Sequence, residues 1–185
     1  MGRGSSGEHR LDDTDKPFQA LAAAKALVNG GPCHIPIQMD GTCNALQHYA
    51  ALARNKHDAE MVNLVPSDTV SDPYQRIATL VAARVAKAAD DGDAISKLLD
   101  GYVTRAMIKQ PCMTTLYGVT QIGARKQVGL FLGFIKDRKL RYKASKLLVQ
   151  KALRAMGDVC PSARAVMKYL TGCARAVVDT GRLVS

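Results

Sequence analysis

The stretch HIPIQMDGTCNALQHYAAL, residues 34–52, combines a strand-like pattern with a helix-like one, and the change falls at Asp40. Ile35, Ile37 and Met39 alternate with polar or turn-forming residues, and this period of two predicts a short strand. Beyond the glycine that follows Asp40, apolar residues recur at intervals of three and four, which predicts a helix of about three turns. A single carboxylate therefore stands at the carboxyl end of the predicted strand.

A carboxylate in this position has two ordinary explanations. It can hold a divalent metal over a cleft, where a following glycine lets other groups approach closely. It can instead cap the next helix by accepting a hydrogen bond from a backbone N–H group of the first turn. The local pattern alone favours the cap.

Helical periodicity dominates the rest of the chain, so the predicted fold class is mostly α (α+β) with one short strand. Residues 1–16 are polar and rich in Gly and Ser, and we expect them to be flexible. Asp72 and Pro73 form a cap followed by a helix-opening proline. The predicted helices cover residues 17–28, those after Gly41, those from Pro73, and residues 94–118, 120–135, 140–156 and 161–179.

Charge and cysteine content narrow the classes of partner and site. The chain has 26 Lys and Arg residues against 16 Asp and Glu, and its net charge of +10 favours a polyanionic partner such as nucleic acid. The five cysteines form no C-x-x-C pair, which indicates unpaired thiols and no zinc site. No window approaches the roughly 18 uninterrupted apolar residues of a membrane span, so no membrane partner is expected.

A second informative stretch is RAMIKQPCMTTLYGVTQIGAR, residues 105–125. Arg105, Lys109 and Met113 are spaced four apart and would share one face of a helix, and two cations one turn apart can clamp a triphosphate. The alternative is a solvated basic face with Tyr117 in the core. Pro111 disfavours a regular helix interior, so the helix either begins near it or is kinked there.

Four segments, taken in order, resemble a known family. They are DGTCNALQHYAAL, VNLVPSDTVSDPY, RAMIKQPCMTTLYGVTQIGAR and PSARAVMKYLTGCARAVVDTGRLVS. Together they resemble the single-subunit DNA-directed RNA polymerases of bacteriophages, mitochondria and plastids, from about residue 17 to residue 185. The resemblance implies a palm portion at residues 17–56, which carries the metal-binding aspartate, and a fingers portion at residues 57–185, which carries the nucleotide-binding helix.

The resemblance also implies the activity and its site. The implied reaction is RNA synthesis on a DNA template from ribonucleoside triphosphates, a nucleotidyl transfer with two Mg²⁺ ions. Asp40 matches the palm aspartate that binds both ions, with the carbonyl of Gly41 near one of them. The implied nucleotide-binding residues are Arg105, Lys109, Met113, Tyr117 and Gly118. Within this set Lys109 would also protonate the leaving pyrophosphate, and Tyr117 would select ribose over deoxyribose.

The family's second metal-binding aspartate, in a later His-Asp motif, has no counterpart in the chain, and His57–Asp58 lies too early to be it. We therefore expect a fragment that does not polymerise nucleotides alone, because one carboxylate cannot hold two Mg²⁺ ions in working geometry. The implied location of the parent protein is the mitochondrion, with the plastid also possible. Its implied partners are the DNA template, the RNA product and organellar transcription factors.

Two other functions remain open. One is a non-catalytic helical module that binds nucleic acid through the basic run Lys136, Arg138, Lys139, Arg141, Lys143 and Lys146. The other is a single-subunit DNA polymerase, whose fingers helix has a comparable arrangement of cations and tyrosine. The segment DGTCNALQHYAAL argues against that second function.

Overall fold

The computed structural model describes residues 14–36 and 40–181, and these residues form nine helices and no strand. The mostly helical fold class is thereby confirmed. The chain divides between Asp40 and Gly41 into two compact units. This division does not test the predicted palm and fingers portions. Their boundaries at residues 17–56 and 57–185 stay a prediction.

The first unit contains one described helix, α1 (Pro17–Asn29), as predicted. Pro17 stands at its first turn, and Gly30 ends it with a φ of 61° while its N–H group bonds to the carbonyl of Ala26. Ile35 and Pro36, at the start of the predicted strand, adopt no strand conformation. The middle of that prediction, residues 37–39, lies outside the described residues.

The second unit contains eight described helices, and four of them pack against one or both of a central pair, the helices that begin at Pro73 and Arg138. Its helices are α2 (Asn44–Ala53), α3 (Lys56–Met61), α4 (Pro73–Asp90), α5 (Ala94–Leu99), α6 (Arg105–Leu116), α7 (Gln121–Phe131), α8 (Arg138–Val159) and α9 (Pro161–Asp179). Helix α4 packs against α5, α6 and α8, α7 packs against α6 and α8, and α2 packs against α9. The fully buried stripe of α4 consists of Ile77, Val81 and Val85, each contributing about 1.5–3 kcal/mol by leaving water.

Two helix boundaries differ from the sequence prediction. The predicted helix at 94–118 is two helices, α5 and α6, and Gly101 between them has a φ of 76° that ends the first. Helix α6 then restarts at its own cap, because the Thr104 hydroxyl accepts a hydrogen bond from the Met107 N–H group at 3.3 Å. Helix α3 is absent from the predicted helices, and Asn55 caps it by accepting from the Asp58 N–H group at 3.0 Å.

Asp58 is a structural residue that joins α3 to α9. Its side chain is 1% exposed, and its Oδ2 atom accepts hydrogen bonds from the N–H group of Ser162, at 3.0 Å, and from the Ser162 hydroxyl. Cys160, the residue at the N-cap of α9, makes no capping hydrogen bond with its side chain. The carboxylate of Asp58 therefore supplies the cap of α9 from a distant part of the chain.

None of the described helices is long and apolar enough to cross a membrane.

Candidate nucleotide-binding site

Helix α6 presents the predicted cations on its surface. It begins at Arg105 and continues through Pro111 to Leu116, so the interpretation that a regular helix begins near Pro111 is wrong. Pro111 is buried, whereas Arg105 and Lys109 are exposed and Met113 is partly buried against the core. The two cations are thus both open to solvent, which agrees with the helix face that their spacing of four residues predicts.

Asp72 fixes the first residue of α6. The Arg105 Nε atom donates to Asp72 Oδ2 at 2.6 Å, while Asp72 Oδ1 accepts the backbone N–H group of Gln75 at 3.0 Å. Partial burial acts to raise the pKa of Asp72, but the hydrogen bonds from Gln75 and Arg105 and the charge of Arg105 outweigh it and lower this pKa below its ordinary value. The cap predicted at Asp72 is confirmed, and the same carboxylate also orients a candidate site residue.

A buried tyrosine forms the floor beneath Arg105. The guanidinium carbon of Arg105 lies 5.9 Å from the centre of the Tyr74 ring, and the Tyr74 hydroxyl lies 2.8 Å from the sulfur of Cys43. Burial, followed by the contact with Cys43, raises the pKa of Tyr74. Burial also raises the pKa of the Cys43 thiol, so both groups are neutral at physiological pH.

Lys109 and Tyr117 also lie close enough to this buried pair to influence its pKa values. Burial dominates the raised pKa of Cys43, and the positive charge of Lys109 opposes it. Tyr117 adds to the upward shift of the Tyr74 pKa, after burial and the effects of the cysteines. Arg105, Lys109 and Tyr117 therefore all lie near the pair formed by Tyr74 and Cys43.

Tyr117 is a surface residue. It is 69% exposed and follows the last residue of α6, so the interpretation of Tyr117 as a core ring is wrong. Gly118 comes next with a φ of 88°, a backbone conformation that favours glycine. The end of α6 is tied to α2, because the Tyr49 hydroxyl donates to the carbonyl of Leu116 at 3.0 Å. Gly118, which is suited to a sharp turn, thus follows closely on the end of α6, which the bond from Tyr49 holds in place.

Asp40 and Gly41 are adjacent in the chain, at the boundary between the two units. Asp40 is exposed, and the N-cap position of α2 belongs to Cys43, so Asp40 does not occupy the capping position. A Cβ atom at Gly41 would come too close to the side-chain oxygens of Asn44 and Gln47, so a larger residue there would require these two side chains to shift. Across residues 14–36 and 40–181, no three His, Cys, Asp or Glu side chains converge in the manner of a metal site.

A separate basic face lies on the first turns of α8. Arg138, Lys139, Lys143 and Lys146 line a cavity of about 630 Å³ together with the half-exposed Tyr142. The guanidinium carbon of Arg125 lies 4.4 Å from the centre of the Tyr142 ring. This is an interleaving of cations with an aromatic ring that suits nucleic acid.

Arg141 does not belong to this face, although the basic run in the sequence included it. Its Nε and Nη2 atoms donate to the carbonyl of Ile135 at 2.9 and 2.6 Å. Its guanidinium therefore stabilises the turn before α8 and is not available to a phosphate group.

Sequence reasoning missed Tyr74 and the second role of Asp72. Asp72 was interpreted only as a helix cap, and Tyr74 only as a residue of α4. The one local signal was their position on either side of Pro73 in the tripeptide DPY. Nothing in that tripeptide indicates a contact with Arg105. The cysteines were predicted correctly as unpaired, since all five are free thiols.

Comparison with known proteins gives one consistent family. Residues 3–183 match the sequence profile described as DNA-dependent RNA polymerase. The chain is 40% identical over 178 residues to "DNA-directed RNA polymerase, mitochondrial" of Schizosaccharomyces pombe, covering 90% of this chain and 15% of that protein. It is 38% identical over 189 residues to "DNA-directed RNA polymerase 3, chloroplastic" of Nicotiana sylvestris, covering 93% of this chain and 19% of that protein.

A human relative, "DNA-directed RNA polymerase, mitochondrial", is 34% identical over 180 residues, or 92% of this chain and 15% of that protein. The chain thus spans less than a fifth of the length of these curated relatives. The resemblance inferred from the four segments is confirmed, and the chain belongs to the family of DNA-dependent RNA polymerases of the single-subunit type.

Proposed function

We propose that this chain forms part of the palm and the fingers of an organellar DNA-directed RNA polymerase, and that α6 binds the incoming ribonucleoside triphosphate. The observation that carries the proposal is the pair of exposed cations, Arg105 and Lys109, one turn apart on a helix that ends at the exposed Tyr117. The relatives are named as mitochondrial or chloroplastic enzymes, and a mitochondrial location, with the plastid as alternative, is proposed for the parent protein on that basis.

In this proposal Arg105 and Lys109 bind the triphosphate in different ways. Asp72 holds the Nε atom of Arg105, which leaves the two terminal nitrogens of the guanidinium to form a planar fork toward phosphate oxygens. Lys109 adds a point charge one turn further along the helix. Because charge develops on the leaving pyrophosphate, a cation at this position stabilises the transition state more than the ground state, and as an acid Lys109 would deliver a proton to it.

Met113, Tyr117 and Gly118 complete the proposed nucleotide site. Met113 is partly buried against the core and offers an adaptable apolar contact. The exposed ring of Tyr117 can stack near the insertion site, and its hydroxyl can act as the polar partner that distinguishes ribose from deoxyribose. Gly118, with its positive φ, is the position at which the end of α6 can change direction.

The chemistry of Asp40 and Gly41 fits a magnesium ion, although their number does not complete a site. A carboxylate and a backbone carbonyl are the hard oxygen ligands that Mg²⁺ prefers, and Asp40 is exposed. Magnesium, when bound, supplies activation of the 3′-hydroxyl and neutralisation of the leaving pyrophosphate. Because one carboxylate cannot hold two Mg²⁺ ions in working geometry, we expect the isolated chain not to polymerise nucleotides.

The basic face of α8 supports contact with the nucleic acid. Arg138, Lys139, Lys143 and Lys146 supply charges for backbone phosphates, and Tyr142 supplies a ring surface for a base. The same face supports the second candidate function, a helical nucleic-acid-binding module without catalysis. The partners proposed for the parent protein are accordingly the DNA template, the RNA product and organellar transcription factors.

The nucleotide-binding role of α6 can be tested on the 185-residue chain. ATP binding would be measured by isothermal titration calorimetry for the wild type and for an Arg105→Gln, Lys109→Gln double variant. The matched control is Arg76→Gln, Lys97→Gln, which removes the same charge from exposed positions. We expect the double variant to weaken binding at least tenfold and the control to stay within about twofold. Equal losses in both would contradict a specific site on α6.

The catalytic part of the proposal needs the rest of a polymerase. Residues 17–181 would replace the homologous segment of the Schizosaccharomyces pombe relative, and extension of an RNA primer on a DNA template would be measured. Extension with ribonucleotides is the expected result. A correctly folded chimera that binds the primed template without extending it would favour the non-catalytic binding module.

A further inference from the structure

An open crevice bordered by α4, α8 and α9 has a basic lining that the proposed nucleotide site does not use. Its volume is about 560 Å³, and five cations line it: Arg84, Lys87, Lys151, Arg154 and Arg164. Asp91 and Asp158 share the lining, so five cations and two carboxylates leave a net formal charge of +3. Such a concentration of positive charge attracts an anionic ligand.

Two of these cations are held by contacts within the protein. Arg84 forms an ion pair of 2.5 Å with Asp158, and the Lys151 Nζ atom donates to the backbone carbonyl of Arg84 at 3.1 Å. These contacts join α4 to α8 and use the charge of Asp158. The framework of the crevice is therefore set without the other three cations.

The side chains of the remaining cations, Lys87, Arg154 and Arg164, are exposed and form no hydrogen bond or ion pair with residues in the described ranges 14–36 and 40–181. The stem of Arg164 lies against the buried Gly157, since a Cβ atom at Gly157 would be 2.8 Å from the Arg164 Cδ atom. A larger residue at position 157 would therefore require the Arg164 side chain to shift. Three unneutralised cations consequently border one crevice.

The crevice is distinct from the α6 site. Arg84 and Lys87 lie 12 and 15 residues beyond Asp72, the cap residue of α4 that binds Arg105. At about 1.5 Å per residue these cations are roughly 18–22 Å further along the helix axis. One triphosphate cannot span that distance, so a ligand in the crevice would be separate from a nucleotide bound at α6.

The lining points to phosphate groups in a nucleic-acid backbone. Among the described residues that line the crevice, Ala88 alone is uncharged, so no aromatic or large apolar surface is present to hold a base. Lys87 follows Arg84 by three residues on α4, and Arg154 follows Lys151 by three on α8, which places two rows of cations along neighbouring helices. An open crevice with charged rows suits successive phosphates better than one small anion.

We propose that this crevice is a second nucleic-acid contact, which binds backbone phosphates of DNA through Lys87, Arg154 and Arg164 without reading the sequence. This contact goes beyond the proposed role of α6 and does not depend on catalysis, nucleotide or metal. Free polyphosphate has the same chemistry as a backbone, and the experiment separates the two sources.

The test uses the 185-residue chain and a fluorescein-labelled DNA duplex of about 20 base pairs, with fluorescence anisotropy measured over a series of salt concentrations. The crevice variant is Lys87→Gln, Arg154→Gln, Arg164→Gln. The matched control, Arg76→Gln, Lys97→Gln, Arg175→Gln, removes the same charge from exposed residues outside the crevice. Circular dichroism melting checks that both variants fold.

We expect the crevice variant to weaken DNA binding about 10- to 100-fold at ~0.1 M salt and the control by less than about threefold. The slope of log K against log salt should fall by about two to three in the crevice variant, because each lost phosphate contact removes about 0.9. Equal losses in the two variants would overturn the proposal.

A second arm titrates sodium tripolyphosphate into the wild type and the crevice variant by calorimetry, without magnesium. Weak tripolyphosphate binding together with the expected loss of DNA affinity supports the proposal. Micromolar tripolyphosphate binding that the crevice variant abolishes, with unchanged DNA affinity, would instead assign the crevice to a small polyphosphate. Neither arm involves Arg105 or Lys109, so failure here is distinguishable from failure of the proposed nucleotide site.

Discussion

Arg105 is joined to Asp72 by an ion pair of 2.6 Å between Nε and Oδ2, which fixes the first residue of α6 to the cap of α4. The two residues are 33 positions apart in the sequence. One carboxylate therefore performs two tasks, since its other oxygen accepts the N–H group of Gln75. The start of α4 and the proposed triphosphate-binding cation are coupled through this single side chain.

The pair predicts a pH dependence of stability. The pKa of Asp72 is below its ordinary value of 3.8 in the folded chain, so the ionised form favours folding. Its contribution is fully present above about pH 4 and is lost as pH falls through the lower folded pKa. Asp72→Asn keeps a capping oxygen but removes the charge, and we expect it to unfold at lower urea concentration than the wild type at pH 6.

The expected difference is about 0.2–1 kcal/mol, because both side chains are about 40% exposed and solvent screens the pair. It should shrink toward zero as the pH falls below about 4. Urea unfolding at several pH values measures it, with Asp68→Asn as the control at an exposed carboxylate. A difference that stays constant with pH would show that the charge of Asp72 is not involved.

The contact of Asp58 with Ser162 predicts a larger effect on stability. Asp58→Ala removes a buried acceptor and leaves the Ser162 N–H and hydroxyl groups without a partner at the start of α9. We expect a loss of about 2–4 kcal/mol in the free energy of unfolding. Ser162→Ala, which keeps the N–H group, should lose less. Urea unfolding measures the free energy of unfolding of both variants. If Asp58→Ala were nearly as stable as the wild type, that result would contradict a capping role for Asp58.

The sequence predicted helices where the signal was local. Pro17, Pro73 and Pro161 all open helices, as their preference for the first turn requires. The break at Gly101 was missed because apolar residues continue with helical spacing on both sides of it. Helix α3 was missed because six residues are too few to establish a period.

The candidate site was only partly predictable, for a related reason. The four-residue spacing of Arg105 and Lys109 is a local property and indicated one helix face. The partnership of Arg105 with Asp72 and Tyr74 depends on the packing of α4 against α6, which no local pattern encodes. Arg141 is an example in which the local pattern misled. It lies inside a basic run, but its guanidinium donates to the carbonyl of Ile135.

Asp40→Asn tests the proposed metal-binding residue in the polymerase chimera. Asparagine has nearly the same shape but lacks the charge that holds Mg²⁺, so the variant should fold normally and lose nucleotide addition by a factor of at least about 10³. Primer extension measures the activity, and circular dichroism measures the fold. The control is Asp68→Asn, an exposed carboxylate beyond α3. Activity within a few-fold of the unaltered chimera would remove Asp40 from the metal site.

Lys109→Ala distinguishes a transition-state role from simple binding. Leaving-group charge develops only as the reaction proceeds, so we expect kcat to fall as well as KM to rise. Single-nucleotide incorporation kinetics on the chimera give both constants. Lys97→Ala, an exposed lysine on α5, is the matched control and should change neither. A rise in KM with unchanged kcat would make Lys109 a ground-state tether for the triphosphate.

Tyr117→Phe tests which sugar the proposed site selects. Tyr117 is 69% exposed at the end of α6, so the variant keeps the ring and its stacking surface and loses only the hydroxyl with its hydrogen bonds. A site that recognises the ribose 2′-hydroxyl through a polar partner rejects the deoxy sugar because buried polar groups are then unpaired. Removing that partner should improve the use of deoxynucleotides and leave ribonucleotide incorporation nearly unchanged.

The expected change is worth about one buried hydrogen bond, roughly 1–3 kcal/mol, or about one to two decades in the ratio of kcat/KM for the two sugars. The measurement compares one ribonucleotide with its deoxy counterpart on the same primed template, in the chimera. Tyr102→Phe, which removes the hydroxyl of another half-exposed tyrosine, is the control and should leave the ratio unchanged. If Tyr117→Phe also left the ratio unchanged, or lowered both rates equally, Tyr117 would have no part in sugar selection.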